Sequence, residues 1–207
     1  MLSFDDVSFD DFDLNVQYTQ IDICGLVKKM KQKKRRCFRI SRETKQLDAL
    51  VGSPPKNNEC FKMLSVGGGF SSLGIIKYIA DREVVEEMYV STFRIGKNHF
   101  KVLKKLYDLG RIKKANFITS SAQKHIDGDS DYNYYQTIER TCQKNGWGLK
   151  VFDNHSKLLL LKTANNFYVV ETSSNLNENP KMEQFSWEND QELYEWYQEL
   201  FIELMKD

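Results

Sequence analysis

The sequence predicts an α/β domain built on a mixed, mostly parallel sheet flanked by helices, preceded by a small N-terminal extension. Three observations carry this. Beyond residue 55, short apolar runs alternate with stretches of helical apolar spacing, the pattern of strand–helix crossovers. Gly-Ser-Pro-Pro at 52–55 interrupts the chain as a linker would, which divides it into an extension, 1–55, and a domain, 56–207. Hydrophobic residues make up 41% of the 207, enough for a substantial core.

The extension segregates its charge. Asp5, Asp6, Asp10, Asp11 and Asp13 open it, and KKMKQKKRRCFRISR from Lys28 to Arg42 follows a short amphipathic helix expected through Ile23, Leu26, Val27 and Met30. Such a basic run could attract phosphates, but no aromatic residue interleaves its lysines, and a solvated helix face accounts for it as well. In the domain, KMLSVGG (62–68) reads as a buried strand, and SSLGIIKYIADREVV as a helix capped by Ser71 or Ser72. EMYVSTF (87–93) reads as the next strand. His99 to Leu109 is helical through Phe100, Leu103, Leu106 and Tyr107, Ala115 to Thr119 is a strand, and Tyr132 to Asn145 is helical through Tyr135, Ile138 and Cys142. Leu158–Leu161 and Phe167–Val170 flank Thr163-Ala164-Asn165-Asn166, whose amides suit a tight reversal, so this stretch reads as a hairpin. From Asp190, the residues Leu193, Trp196, Tyr197, Leu200, Phe201 and Leu204 keep the spacing of a helix packed on the sheet.

Charge and cysteine usage narrow the function classes. Thirty basic and 29 acidic residues leave a net charge of +1, so any electrostatic footprint must be local. Cys24, Cys37, Cys60 and Cys142 form no Cys-x-x-Cys pair, and LSFDDVSFDDFD stands where a secretory signal would need basic and then apolar residues. The expectation is a soluble, cytoplasmic protein with free thiols. No apolar window approaches the ~18 residues of a membrane span, and no membrane partner is expected. His99 and His125 lack metal-ligand spacing, and HIDGDSDYN (125–133) lacks the closing glutamate of a calcium loop. Neither a metal nor a cofactor is expected. Val66-Gly67-Gly68-Gly69-Phe70-Ser71-Ser72 lies at a strand-to-helix turn without the Gly-Lys-Ser/Thr ending of a P-loop.

The stretch NHSKLLLLKTANNFYVVETSSNL (154–176) concentrates the candidate chemistry. If Lys162 pairs with Phe167, constant pairing sums set Lys157 opposite Thr172 and His155 opposite Ser174. His155 and Lys157 then share a strand face. A phosphodiester requires a nucleophile that can also leave, cationic and amide donors for its non-bridging oxygens, and a carboxylate to fix the histidine tautomer. In that order, His155, then Lys157, Ser173 and Asn175 as phosphate-binding groups, then Glu183, can supply these parts. The alternative is a structural hairpin with polar ends.

These residues resemble the phospholipase D superfamily, whose half-site reads His-x-Lys, four residues, Asp, then Gly-Ser-x-Asn and a later Glu. His155-Ser156-Lys157 matches the first element, Thr172-Ser173-Ser174-Asn175 resembles the second with Thr for Gly, and Glu183 stands at the later position. Lys162 occupies the Asp position, a clear departure. The resemblance covers roughly residues 60–207. It implies metal-independent phosphodiester cleavage through a phosphohistidine, with a second histidine as acid and then base. His-x-Lys also occurs at His99-Phe100-Lys101, within the stretch read as a helix and without a Ser-x-Asn element of its own, so one complete half-site is present and the resemblance also implies a homodimer with a site on the twofold axis. The expected function is that of a nuclease acting on nucleic acid. The alternative is a catalytically silent relative that binds DNA or RNA through the same phosphate pocket.

Overall fold

The computed structural model describes residues 47–67, 69–125, 134–177 and 181–206. The acidic opening, the basic run and its helix, most of the 125–133 loop and Gly68 lie outside the described residues. The described chain runs β1 (Cys60–Ser65), α1 (Ser72–Ala80), β2 (Glu87–Thr92), α2 (Lys97–Asp108), β3 (Ala115–Ser120), α3 (Tyr134–Asn145), β4 (Gly148–Phe152), β5 (Leu158–Lys162), β6 (Phe167–Thr172), β7 (Glu183–Asn189) and α4 (Gln191–Leu204). Short helical turns over 47–51 and Ser121–His125 complete it.

The seven strands form one sheet in the order β1-β7-β6-β5-β2-β3-β4. It is mixed and flanked by helices, as the sequence predicts, but the predominance of parallel pairing needs qualification. β2–β3 and β3–β4 are parallel, and the other four ladders are antiparallel. Five strands (β1, β2, β3, β4 and β6) nevertheless point the same way, because only β5 and β7 are reversed. The reason is connectivity: helical crossovers join β2, β3 and β4, whereas the β5–β6–β7 meander is inserted between them and β1.

Alternation along the strands assigns the two faces. Val90, Phe117, Leu159, Leu161 and Val170 pack into the larger core under α1, α2 and α3. Tyr89, Ile118, Leu158, Leu160 and Val169 meet Tyr194 and Phe201 of α4 on the other face. α1 is buried at eight of its nine positions, consistent with its nearly uniform apolar sequence. Ser71 is its N-cap, accepting from the Gly74 amide at 3.3 Å. Ser72 instead donates to the Ser174 carbonyl at 3.0 Å and so ties this helix to the loop after β6. Asp190 caps α4 through the Leu193 amide at 2.9 Å. β1, expected to be buried, is an edge strand with alternating exposure, and its Leu64 is 47% accessible. Residues 47–55, assigned by sequence to the extension, pack on this domain where they are described: Leu47 is fully buried in the larger core, and the Pro55 carbonyl accepts from Asn189 Nδ2 at 3.2 Å.

The β5–β6 hairpin has the predicted register, with Lys162 opposite Phe167. Its turn is closed by the Thr163 amide on the Asn166 carbonyl at 3.0 Å and the Asn166 amide on Thr163 Oγ1 at 3.1 Å. Lys162 itself lies over the Phe167 ring. A carboxylate does stand at this end of the hairpin, and it comes from Glu83 after α1. Glu83 accepts from Thr163 Oγ1 at 2.6 Å, Asn166 Nδ2 at 2.8 Å and the Tyr168 hydroxyl at 2.7 Å. Burial, and then the bond to Glu83, raise the Tyr168 pKa. Removing the acceptor strands three donors, so Glu83→Ala should cost about 1–3 kcal/mol in urea unfolding. Tyr168→Phe should cost less in that background than in the wild type, and strict additivity would show the two groups to be uncoupled.

Candidate active site

His155 and Lys157 lie between β4 and β5, in a segment that is neither strand nor helix and is held from below by Asn154. Asn154 is buried, and its Nδ2 donates to Ser91 Oγ at 3.0 Å and to the Thr92 carbonyl at 3.2 Å, both at the end of β2. Its Oδ1 accepts from the Ser156 amide at 3.0 Å and the Ser156 hydroxyl at 2.8 Å, and Ser156 Oγ also meets Ser91 Oγ. This closes a small polar ring across two elements. The residues on either side of His155 are thereby fixed, while the imidazole remains exposed.

Lys157 Nζ stands 3.1 Å from His155 Nδ1 and 2.6 Å from the His155 carbonyl. The two side chains are adjacent, though not as neighbours on a strand face, because β5 begins only at Leu158. The pairing also extends past the ladder, since the Thr172 amide donates to the Lys157 carbonyl at 3.1 Å. The loop after β6 completes the surroundings. The Phe93 amide donates to Asn175 Oδ1 at 3.2 Å, which leaves the Asn175 NH2 as its donor group. The Phe93 ring lies 5.3 Å from that of His155. One residue just past β2 thus touches both halves of the candidate site.

Ser173 points toward β7. Its hydroxyl donates to Glu183 Oε2, its Oγ accepts from the Gln184 amide at 3.1 Å, and its own amide donates to the Gln184 carbonyl at 3.1 Å. Glu183, the buried first residue of β7, thus holds Ser173, and its charge acts on Lys157. To bind a phosphoryl oxygen, Ser173 must first release Glu183. Lys157 Nζ, though bonded to the His155 carbonyl, has three N–H donors, and the Asn175 NH2 is not used in the bond to Phe93. Thr172, where the family pattern has Gly, has no positive φ. A side chain is therefore unstrained there, and the hydroxyl is used: it donates to the Gln184 carbonyl at 2.8 Å and accepts from the Ser174 amide at 2.9 Å. Among the described residues no cluster of three or more His, Cys, Asp or Glu could hold a metal ion.

Sequence reasoning missed Asn154, Ser91 and Phe93. Asn154 carries a weak signal in preceding the histidine, but its partners lie some 60 positions earlier and only the fold identifies them.

Burial lowers the Lys157 pKa from its ordinary value, and Glu183 offsets part of that. The sign of the linkage follows. Between the lowered folded pKa and the ordinary lysine value the unfolded chain binds more protons, so Lys157 contributes more to stability as pH rises through that window. Lys157→Met should remove this upward slope from the stability–pH profile on the alkaline side. A slope identical to that of the wild type would place the effect elsewhere. The geometry also ranks the donors: Asn175→Ala should weaken binding of inorganic phosphate or vanadate more than Ser173→Ala, as read by thermal shift.

No protein-family model and no curated protein sequence matches the chain. Solved structures do. A phospholipase D family member, Nuc, from Salmonella typhimurium superposes with a TM-score of 0.50 at 12% identity, covering 70% of this chain and 94% of that one. The polyphosphate kinase of Porphyromonas gingivalis gives 0.54 at 12% identity, covering 87% of this chain and 29% of that one. The phosphatidylserine synthase of Haemophilus influenzae gives 0.49 at 13% identity, covering 70% and 39%. The chain thus spans nearly all of Nuc and well under half of the other two. With its mixed seven-stranded sheet and this superposition on Nuc, the chain has the phospholipase D fold.

Proposed function

We propose that the protein is a phosphodiesterase acting on nucleic acid without a metal, at a site shared by two copies of the chain. The observation that carries this reading is the placement of Lys157 Nζ 3.1 Å from the ring of an exposed histidine, beside a loop that presents Asn175, on a phospholipase D fold. In this reading an imidazole nitrogen of His155 attacks phosphorus and displaces the alkoxide, forming a phosphorus–nitrogen bond. The partner subunit's His155 protonates the leaving oxygen. It then takes a proton from water, whose oxygen attacks the phosphohistidine and returns the first imidazole. Lys157 and Asn175 hold the non-bridging oxygens, and the charge they balance is greatest in the transition state. Ser173 joins them on exchanging Glu183 for the ligand. Glu183 supplies the carboxylate that orients the site.

A second reading, a silent protein that binds nucleic acid through the same pocket, rests on the departures from the family pattern at Lys162 and Thr172. Thr172 has no positive φ, so the backbone there does not call for glycine, and Glu83 places a carboxylate on Thr163 and Asn166, next along the chain from Lys162. The deciding experiment is hydrolysis of bis-p-nitrophenyl phosphate and of DNA and RNA in the presence of EDTA. Activity should persist with chelator and fall on the order of 10³-fold or more in His155→Ala. A wild type that binds oligonucleotide but cleaves nothing would establish the silent reading. Mixed dimers of one His155→Ala and one wild-type chain should be nearly inactive, because each site needs both imidazoles; turnover by a monomer would exclude the shared site.

A further inference from the structure

α2 carries Lys97, Lys101 and Lys104 at spacings of four and three, which places them on one helix face. That face forms one wall of a cavity of about 390 Å³, whose other wall is Tyr134, Thr137 and Thr141 of α3. The floor is aromatic and fixed. The Tyr134 hydroxyl donates to the Lys97 carbonyl at 2.8 Å, and its ring meets Phe100 edge-on at 6.3 Å. Lys97 Nζ stands over the Tyr134 ring at 5.9 Å. Lys97 and Lys101 are exposed. In a chain whose net charge is only +1, this is a local concentration of positive charge in a concave, preformed groove.

The start of α2 is tied to the loop that carries Asn175. Ile95 bridges Leu176, the Gly96 amide donates to the Leu176 carbonyl at 2.7 Å, and a Cβ at Gly96 would come within 3.1 Å of Asn177. Lys97 follows directly, so the loop presenting Asn175 leads into the lysine row. From Lys97 to Lys104 the helix rises ~10 Å. Lys104 Nζ is ion-paired with Asp108 one turn further along, so Lys97 and Lys101, about 6 Å apart along the axis, are the pair the groove presents to adjacent phosphates.

We propose that the α2–α3 groove is a binding track for the phosphate backbone of a nucleic-acid strand, continuing from the half-site. The preferred ligand is then a strand several nucleotides long. This rests on the proposed function and specifies its substrate. A membrane surface fits less well, because the charge lines a concavity walled by threonines and aromatic edges, without a protruding apolar face.

The test uses the full-length chain carrying His155→Ala to suppress turnover, with labelled oligonucleotides of two to twelve nucleotides followed by anisotropy. Affinity should rise with length in this background. Adding Lys97→Gln and Lys101→Gln should flatten that rise, weaken the longest strand about tenfold near 0.1 M salt, and reduce the slope of log affinity against log salt by about 1.4, or about 0.7 per lost contact on a single strand. An unchanged length dependence and salt slope would overturn the proposal. So would binding to anionic phospholipid vesicles that depends on the same lysines and is not displaced by oligonucleotide. Two results separate this from the underlying reading. Wild-type cleavage of bis-p-nitrophenyl phosphate without length-dependent binding would overturn the track alone. Lysine-dependent binding of long strands by a wild type that cleaves no diester would support the track and overturn the phosphodiesterase.

Discussion

The register of β5 is the constraint on which the rest of the site depends. This strand lies between β6 and β2, and Leu158 to Leu161 are buried on both faces. Four consecutive leucines cannot choose a register by themselves, because a one-residue slip would exchange one apolar face for another. The choice is made at the strand's ends. At one end the Thr163–Asn166 turn is locked onto Glu83. At the other, Asn154 and Ser156 are bonded to Ser91. A slip would break both polar networks at once, and each buried group left unpaired would cost about 1–3 kcal/mol. His155 and Lys157 inherit their positions from that locking.

This explains what could be read from the sequence. The hairpin and its register were legible because turn residues act locally and antiparallel pairing follows from the turn. The helices α1 to α4 were legible from apolar spacing. β4 was not, because all five residues of GLKVF are only half-buried at the sheet's edge and give no clean alternation. β7 was not, because EQFSWEN buries a glutamate and a serine along with its aromatics, so polarity does not mark its inner face. The insertion of β5–β6–β7 between β1 and β2 is a long-range pairing choice without a local signature, hence the overestimate of parallel pairing.

The two departures from the family pattern show the difference between a motif and the interaction it stands for. Lys162 sits five residues along β5 from Lys157, roughly 17 Å at strand rise, so it belongs to the far end of the hairpin. The negative charge at that end comes from a residue some 80 positions earlier. At Thr172 the backbone never enters the region that favours glycine, and the hydroxyl closes the turn. Neither fact is visible in a linear pattern, since each depends on a partner or a dihedral angle.

Exposure divides the candidate site by role. Asn154 and Glu183, which would hold the geometry, are buried, while His155, which would meet the substrate, is exposed. An open imidazole on a rigid turn suits the proposed shared site, in which the opposing group would need room to approach. It also means that the site's field is screened within about 8 Å at physiological salt. With 30 basic and 29 acidic residues, the net charge adds almost no long-range attraction. In the proposed reading, a polyanion is then held by charges close to the half-site. The Ile95–Leu176 bridge supplies that continuity by fixing the start of α2, and its lysine row, against the loop that carries Asn175.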